Sequence, residues 1–361
     1  MVITFDNSRP LTNDDYILEQ VDDGVFVRRI GPFFLKQPSV ELERMPEKVR
    51  ATFRRRAFDQ MLTLAQPFRP TIVLSFYLLN AGMLATYLAH SLAVPHVASV
   101  RGNDIGRNMF SFDRLAAVRL VIDRAERVVC VNQHLRQRLL LAFPEAAPRI
   151  SVIMNGLELP FCTAQSAQRY LDTETTWPPQ EPVAVFIGAP REKKGIVILL
   201  QAMELVNVHA PLRLLVVGPA LGAIEQRQCG TAWNHLIKSN VLHTTGHRDR
   251  ATALSIAAEG DIIVMPSIDD GMANGLLEGM ALGLVPVVSD VFSDVVSGDE
   301  SGWVVKRNDV LALASALREA AGSPDQRQKR RLSAQKLIAE RHQPEREAKS
   351  YLALFNEVVS R

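Results

Sequence analysis

Two carboxylates, Asp270 and Glu278, stand eight positions apart around a glycine-rich loop at residues 271–275. The loop leads into a predicted helix of about ten residues. The first turn of a helix has free backbone N–H groups with partial positive charge, and glycines let a bulky anion approach them closely. The stretch therefore has the outline of a phosphate site flanked by two acids. An alternative stays open, since such glycines can also serve only as turns in a strand-loop-helix-strand unit.

Two apolar runs of strand length frame this loop and helix. Residues 261–265 (DIIVM) and 284–289 (LVPVVS) are typical of buried strands in a parallel sheet. Gly283 followed by Pro286 indicates the end of the helix between them. Ligands of such sheets bind beyond the carboxyl ends of the strands, so the loop after residue 265 is where a site is expected.

Strands and helices alternate along the rest of the chain with the spacing of βαβ units, which predicts an α/β fold with two doubly wound, Rossmann-like domains. The domains are placed at 1–162 and 183–344, joined by a linker at 163–182 that is rich in Thr, Gln, Pro and charged residues. The other expected strands are 71–77, 95–100, 127–132, 149–156, 183–188, 212–218, 241–246 and 302–308, and the expected helices are 79–93, 110–126, a helix from 195, 248–258, 309–321 and 326–340.

Composition excludes several classes of protein. The chain has 361 residues, 47% hydrophobic and 22% charged, with a formal net charge of +2. This charge is far below that of a dedicated nucleic-acid binder, so no nucleic-acid partner is expected. The three cysteines and eight histidines are scattered, which predicts neither a disulfide framework nor a metal site. We find no apolar run long enough to cross a membrane and no secretory leader pattern at the start, and a reducing, cytoplasmic compartment fits.

Residues 266–290 (PSIDDGMANGLLEGMALGLVPVVSD) closely resemble the donor-sugar signature of the family 4 glycosyltransferases. In that family two acidic residues stand eight apart, and here Asp270 replaces the first glutamate while Glu278 keeps the second. A second match is Lys194, directly before a glycine, although Ala189 occupies the position of the family's arginine and Arg191 follows two residues later. The resemblance implies the GT-B fold of two Rossmann-like domains, with a C-terminal helix at 345–361 that crosses back to the first domain.

The resemblance also implies a role for each matching residue. Glu278 would bind the ribose of a nucleotide-sugar, and Asp270 would accept hydrogen bonds from hydroxyls of the transferred sugar. Arg101, at the position of the family's histidine in His-Gly-x-Asp, would join Lys194 and Arg191 in stabilising the diphosphate. Asp104, in the same short sequence, is expected to order the loop by accepting backbone N–H bonds. The remaining donor contacts are expected from backbone groups of Gly188, Gly271, Met272, Asn274 and Gly275.

The beginning of the chain departs from the family pattern. VITF and residues 24–31 are expected to be strands separated by a polar loop. In members of that family, the matching residues follow a first strand, a Gly-Gly loop and a first helix. The first domain is therefore expected to lack its first strand and helix, either because the true start of the chain lies upstream or because the protein is shortened. Residues 41–66 predict an amphipathic helix, which is either a surface helix packed on its own sheet or a basic patch that rests on anionic lipid.

The resulting hypothesis is a retaining, metal-independent glycosyltransferase without a cofactor. It would move a hexose from a nucleotide diphosphate sugar to a glycan, lipid-linked or small-molecule acceptor, in the cytoplasm or peripherally at the inner membrane face. The alternative is a non-catalytic nucleotide-sugar-binding or partner subunit with the same fold. A phosphorylase that uses pyridoxal phosphate is less favoured, because no lysine stands in a matching cofactor motif.

Overall fold

A computed structural model describes residues 1–5, 16–22, 25–31, 46–102, 104–158, 169–207 and 211–360. The chain forms two compact units. The first comprises Met1–Cys130, Leu140–Ser151 and Ala353–Arg361, and the second comprises Val131–Leu139 and Val152–Leu352. Residues 131–139 and 152–158 thus belong with the second unit, although the predicted first domain includes them.

The second unit contains a six-stranded sheet with the order β10-β9-β8-β11-β12-β13. All neighbouring strands are parallel. From the central pair β8 and β11, the strand order runs outwards in opposite directions, which is the arrangement of a doubly wound sheet. The strands are β8 Val183–Ile187, β9 Arg213–Val217, β10 Leu242–Thr244, β11 Ile262–Met265, β12 Val285–Ser289 and β13 Trp303–Val305.

Strands β8, β11 and β12 are buried along their whole length, as expected for continuous apolar runs with helices on both faces. The helices largely follow the predicted positions, but the sequence did not predict Gln133–Ala142 or Ala223–Lys238. Within the predicted linker, Tyr170–Glu174 is helical and Trp177 is buried. The other helices are Ile196–Val206, Arg250–Ala257, Asn274–Ala281, Val310–Gly322, Pro324–Arg341 and Pro344–Val359, and the last of these belongs with the first unit from Ala353 onwards.

The first unit has two sheets in its described residues. Strands β4 Val73–Phe76, β5 His96–Val100, β6 Arg127–Cys130 and β7 Ile150–Val152 form one sheet in that order. The other has the order β1-β3-β2, with β1 Val2–Phe5 parallel and β2 Tyr16–Asp22 antiparallel to β3 Val25–Gly31. The polar loop expected before β3 was therefore wrong at residues 16–22. The expected lack of a first strand and helix stays a prediction.

Three longer helices complete the first unit, namely Glu47–Phe68, Met83–Leu92 and Phe112–Arg124. The first of these buries Ala57, Met61 and Ala65 against Leu84 and Leu88 of the second. It is thus a surface helix packed on its own unit, and the part of the predicted helix at 41–45 lies outside the described residues. Across the described ranges, none of the helices combines the length and apolar character that crossing a membrane requires.

Candidate active site

The candidate site lies at the carboxyl edge of the central strands of the second unit. Gly188 follows β8, and Pro266 opens the loop that follows β11. These strands are hydrogen-bonded neighbours at the point where the strand order reverses. In open parallel sheets the crevice at this reversal is where ligands bind, because the loops from the two strands diverge to opposite faces of the sheet.

The two loops are tied together by backbone hydrogen bonds. The carbonyl of Lys193 accepts from the N–H of Ile268 at 2.8 Å and from that of Asp269 at 3.3 Å. Residues Glu192–Lys194 form a short 3₁₀ turn before the helix Ile196–Val206. Lys194 therefore sits beside the acidic loop after β11 rather than in the helix proper, and the sequence-predicted pair Lys194 and Asp270 is brought together.

Gly188 makes room for the Lys194 ammonium. A Cβ at Gly188 would lie 3.0 Å from Nζ of Lys194, and the backbone φ at Gly188 is +109°, which side chains rarely adopt. Burial lowers the pKa of Lys194 below its ordinary value, the negative charge of Asp270 opposes this, and Lys193 and Arg191 add to it. A half-buried ammonium next to two other cations is suited to a ligand with concentrated negative charge, such as a diphosphate.

Asp270 has one engaged oxygen and one without a partner. Its Oδ1 accepts from the N–H of Gly271 at 2.9 Å. Its Oδ2 is buried and has no hydrogen-bond partner among the residues that the structure describes. Buried carboxylate oxygens are seldom left without partners, so a ligand hydroxyl would satisfy this one. The N–H of Gly271, expected to face a ligand, is taken up by Asp270.

The helix Asn274–Ala281 begins close to the end of β8. A Cβ at Gly275 would lie 3.1 Å from Cβ of Ile187, so the missing side chain lets the helix start approach the strand. No side chain caps this helix start within the described part of the chain. The N–H groups of Leu276 and Leu277 donate to the carbonyl of Ala273 at 2.9 and 3.3 Å, so the amides of Asn274 and Gly275 are the ones that this helix start offers to an anion. Of the other expected contacts, Met272 is buried, whereas Asn274 is exposed and its Oδ1 accepts from Nδ2 of Asn155 at 3.1 Å.

Glu278 is 8% exposed and is paired with Arg250. Arg250 donates from Nε to Oε1 of Glu278 at 2.9 Å, and from Nη2 to the carbonyl of Glu158 at 2.6 Å. The sequence did not predict this pair. Its only signal was that Arg250 follows β10, whose carboxyl end lies at the same edge of the sheet. Arg191, the other expected phosphate contact, is exposed.

Arg101 lies in the first unit, at the carboxyl end of β5. Its guanidinium lies 4.7 Å from the ring centroid of Phe76, and its backbone N–H donates to Oδ2 of Asp104 at 2.7 Å. The other oxygen of Asp104 accepts from the N–H of Leu78 at 2.8 Å. Burial raises the pKa of Asp104, and these backbone bonds oppose that rise. Asp104 thus orders two strand-end loops, in agreement with the prediction.

Other polar residues at the site were not foreseen. Asn132 and Arg138, which lie between β6 and β7 in the chain, contact the loop after β11. Their contacts join residues more than a hundred positions apart, which no local pattern reveals. Among the described residues, no group of three or more His, Cys, Asp or Glu side chains could hold a metal ion. Metal independence stays a prediction.

A doubly wound sheet with an uncapped helix start, and with an acid whose buried Oδ2 has no described partner, at its reversal point fits the donor domain of a GT-B glycosyltransferase. The model named "Glycosyl transferase 4-like domain" matches residues 2–156, and the model named "Glycosyl transferases group 1" matches residues 181–322. Together they match most of the chain. The chain belongs to the family 4 glycosyltransferases.

Individual relatives agree with this assignment. Over 140 residues, 36% of the chain, it is 30% identical to WcaL of Salmonella typhimurium, named for colanic acid biosynthesis. Over 254 residues, 69% of the chain, it is 24% identical to TuaC of Bacillus subtilis, named for teichuronic acid biosynthesis. The chain spans 33% and 60% of the length of these relatives. Among solved structures, a UDP-forming α,α-trehalose-phosphate synthase from Burkholderia xenovorans matches with a TM-score of 0.77 at 12% identity, over 99% of this chain and 93% of that one. The fold is therefore GT-B.

Proposed function

We propose that the chain is a retaining, metal-independent glycosyltransferase that moves a hexose from a nucleotide diphosphate sugar to an acceptor. The observation that carries this proposal is that the half-buried Lys194 ammonium lies on a loop bonded to the loop of Asp270, whose Oδ2 has no partner among the described residues. One group suits a diphosphate and the other suits a sugar hydroxyl, and both lie at the reversal point of the sheet.

In this proposal the diphosphate of the donor lies against Lys194 and the start of the helix Asn274–Ala281, with Arg191 adding positive charge. Glu278 accepts hydrogen bonds from the ribose, and Asp270 accepts one from a hydroxyl of the hexose. The bond from the anomeric carbon to the diphosphate oxygen breaks, and the acceptor oxygen bonds to the same face of that carbon. The proton of the acceptor hydroxyl passes to the leaving diphosphate, so the protein needs neither a nucleophile nor a metal ion. The fixed positive groups stabilise the charge that develops on the leaving group.

The acceptor in this proposal is a glycan, free or lipid-linked, as the names of the two polysaccharide-biosynthesis relatives suggest. Work on a lipid-linked acceptor would place the chain peripherally at the cytoplasmic membrane face. On the helix Glu47–Phe68, the side chain of Arg55 is 85% exposed and supports such contact, whereas Arg54 and Arg56 are half-buried. Arg50 and Arg54 pair with Glu47, which reduces the charge that they offer to lipid.

A second candidate function is that of a nucleotide-sugar-binding subunit without turnover. Arg101 favours it, because this arginine stands where the family has a histidine, and its guanidinium lies over the ring of Phe76 in its own unit. Ala189 also favours this second candidate, because it stands where the family has an arginine.

Transfer and hydrolysis assays with a panel of nucleotide-sugars test both candidates. The panel begins with UDP-sugars, and Lys194→Gln is compared with Lys238→Gln, an exposed lysine on another helix of the same unit. Turnover that Lys194→Gln abolishes and Lys238→Gln leaves intact is the expected result. Binding without turnover for every donor and acceptor would support the second candidate and overturn the first.

A further inference from the structure

The segment Val131–Leu139 follows strand β6 but packs with the second unit. It contains Asn132 and most of the helix Gln133–Ala142. Three of its groups bond to the loops that follow β11 and β12, at the edge where the candidate site lies. We call it the brace segment.

Asn132 holds the residue after Asp270. It is fully buried, and its Nδ2 donates to the carbonyl of Gly271 at 2.9 Å. Its Oδ1 accepts from the N–H of Leu135 at 2.7 Å, which satisfies an amide in the first turn of its own helix. Because the donor and the acceptor of this amide are both engaged, its orientation is fixed. An aspartate of the same shape would place an acceptor against the Gly271 carbonyl.

Arg138 holds the residue before Asp270. Its guanidinium forms an ion pair with the carboxylate of Asp269, and both side chains are partly buried. The backbone N–H of Asp269 is also bonded to the carbonyl of Lys193. The two neighbours of Asp270 are therefore fixed from the same segment, one by an ion pair and the other through its carbonyl.

Asp294 adds a third contact, from the loop after β12. Its Oδ2 accepts from the N–H of Gln133 at 2.9 Å, at the start of the brace helix. A carboxylate is favoured at a helix start, because the free N–H groups there carry partial positive charge. The brace segment is thus held to two neighbouring loops of the site edge, independently of the bonds made by Asn132 and Arg138.

We propose that Asn132 and Arg138 are positioning residues that fix Asp270 for the hexose of the donor, an inference that rests on the proposed function. Asp270 has only the N–H of Gly271 as a hydrogen-bond partner within the described residues. The direction of its second oxygen therefore depends on how firmly its two neighbours are held. A reacting sugar must be placed to within a fraction of an ångström, so a shift of this loop lowers turnover more than it lowers nucleotide binding.

The test compares Asn132→Asp and Arg138→Gln with Arg136→Gln, a control on the same helix, in the full-length chain. For each protein we would measure the Kd of UDP, the Kd of the UDP-sugar that binds the unaltered chain best, kcat, KM and the unfolding midpoint. In Asn132→Asp we expect kcat to fall by about tenfold or more while the Kd of UDP changes by less than about twofold. The kcat of Arg138→Gln should fall less, and that of Arg138→Lys should lie between those of Arg138→Gln and the unaltered chain. The kcat of Arg136→Gln should equal that of the unaltered chain.

Two results would overturn the inference. One is an unchanged kcat in both brace variants. The other is a parallel loss of UDP affinity, kcat and folding stability, which would make the segment a general support of the unit. If the unaltered chain transfers no sugar, the proposed function fails on its own. Binding alone then tests the inference about the brace segment. Asn132→Asp must raise the Kd of the UDP-sugar more than it raises the Kd of UDP for the inference to stand.

Discussion

Removing the Glu278 carboxylate should weaken nucleotide binding more than it weakens the fold. Glu278 is nearly buried, whereas the side chain of its partner Arg250 is 54% exposed. Ion pairs between exposed side chains contribute only about 0.2 to 1 kcal/mol to folding, and the half-exposed Arg250 that Glu278→Ala leaves behind can be solvated. Arg250 also keeps its bond to the Glu158 carbonyl when the carboxylate is removed. We therefore expect Glu278→Ala to lower the free energy of unfolding by about 1 kcal/mol, plus a small term for the lost packing.

The loss of binding should be larger, because the ribose contact proposed for Glu278 is charge-assisted. A hydrogen bond to a charged group contributes about 1.5 to 3 kcal/mol, so losing one such contact weakens nucleotide affinity by about 2 kcal/mol, or about 30-fold in Kd. Glu278→Gln keeps the size and one acceptor oxygen but loses the charge. We expect its Kd to rise by about fivefold.

Calorimetric titration with UDP, together with the unfolding midpoint of each variant, measures both quantities. Glu319→Gln, an exposed glutamate on the helix Val310–Gly322, is the control. Arg250→Gln is the second arm, and it should weaken UDP less than Glu278→Ala because the carboxylate remains. An unchanged Kd in a well-folded Glu278→Ala protein would refute the ribose assignment, and Glu278 would then serve only to hold Arg250 against the Glu158 carbonyl.

Three further predictions concern charge and backbone. Burial lowers the pKa of Lys194, and its positive charge is present below that pKa and lost above it. UDP affinity should therefore fall as the pH becomes alkaline. A Lys194→Arg variant should keep its UDP affinity in the same titration. Gly188→Ala should lower the free energy of unfolding by about 1 to 3 kcal/mol and displace the Lys194 ammonium, whereas Gly322→Ala, where a Cβ meets no atom within 4 Å, should leave both the unfolding midpoint and UDP binding unchanged. Burial lowers the pKa of His96 from 6.5 to about 4, so its stabilisation is present above pH 6.5 and is lost as the pH falls towards 4, by about 3 kcal/mol in all. Denaturant titrations of the unaltered chain and His96→Gln at several pH values measure this slope, and equal slopes would contradict the assignment to His96.

The site edge could be predicted from the sequence because its signals are local. Strand β11, the helix Asn274–Ala281 and strand β12 come from two apolar runs and from the stop at Gly283, which has φ of +91°. Strand β2 (YILEQVD) was missed because its apolar and polar residues do not alternate, and pairing with β3 decides its conformation. Local periodicity carried no signal for this pairing.

The contacts that surround the acidic loop could not be predicted. Arg250 meets Glu278 across 28 positions, and Asn132 meets Gly271 across 139. Such pairs depend on which strand ends become neighbours, and that is settled only when the sheet has formed. The family resemblance predicted which residues would face the donor, because those residues recur as a motif, and their roles stay a prediction. It did not identify the residues that hold them, since their positions in the chain follow no fixed spacing.

The brace segment also decides how this chain can be recombined with its relatives. The chain passes between the two units after Cys130, Leu139, Ser151 and Leu352. Consider a chimera in which one relative supplies the chain up to about residue 160 and another supplies the rest. Residues 131–139 would then come from the first relative and the acidic loop from the second. The bonds of Asn132 and Arg138 would then have to form between sequences that did not evolve together. Chimeras in which residues 131–139 come from the same relative as the second unit should keep their turnover of the donor. The boundary at which the first unit can be exchanged is therefore discontinuous in the sequence.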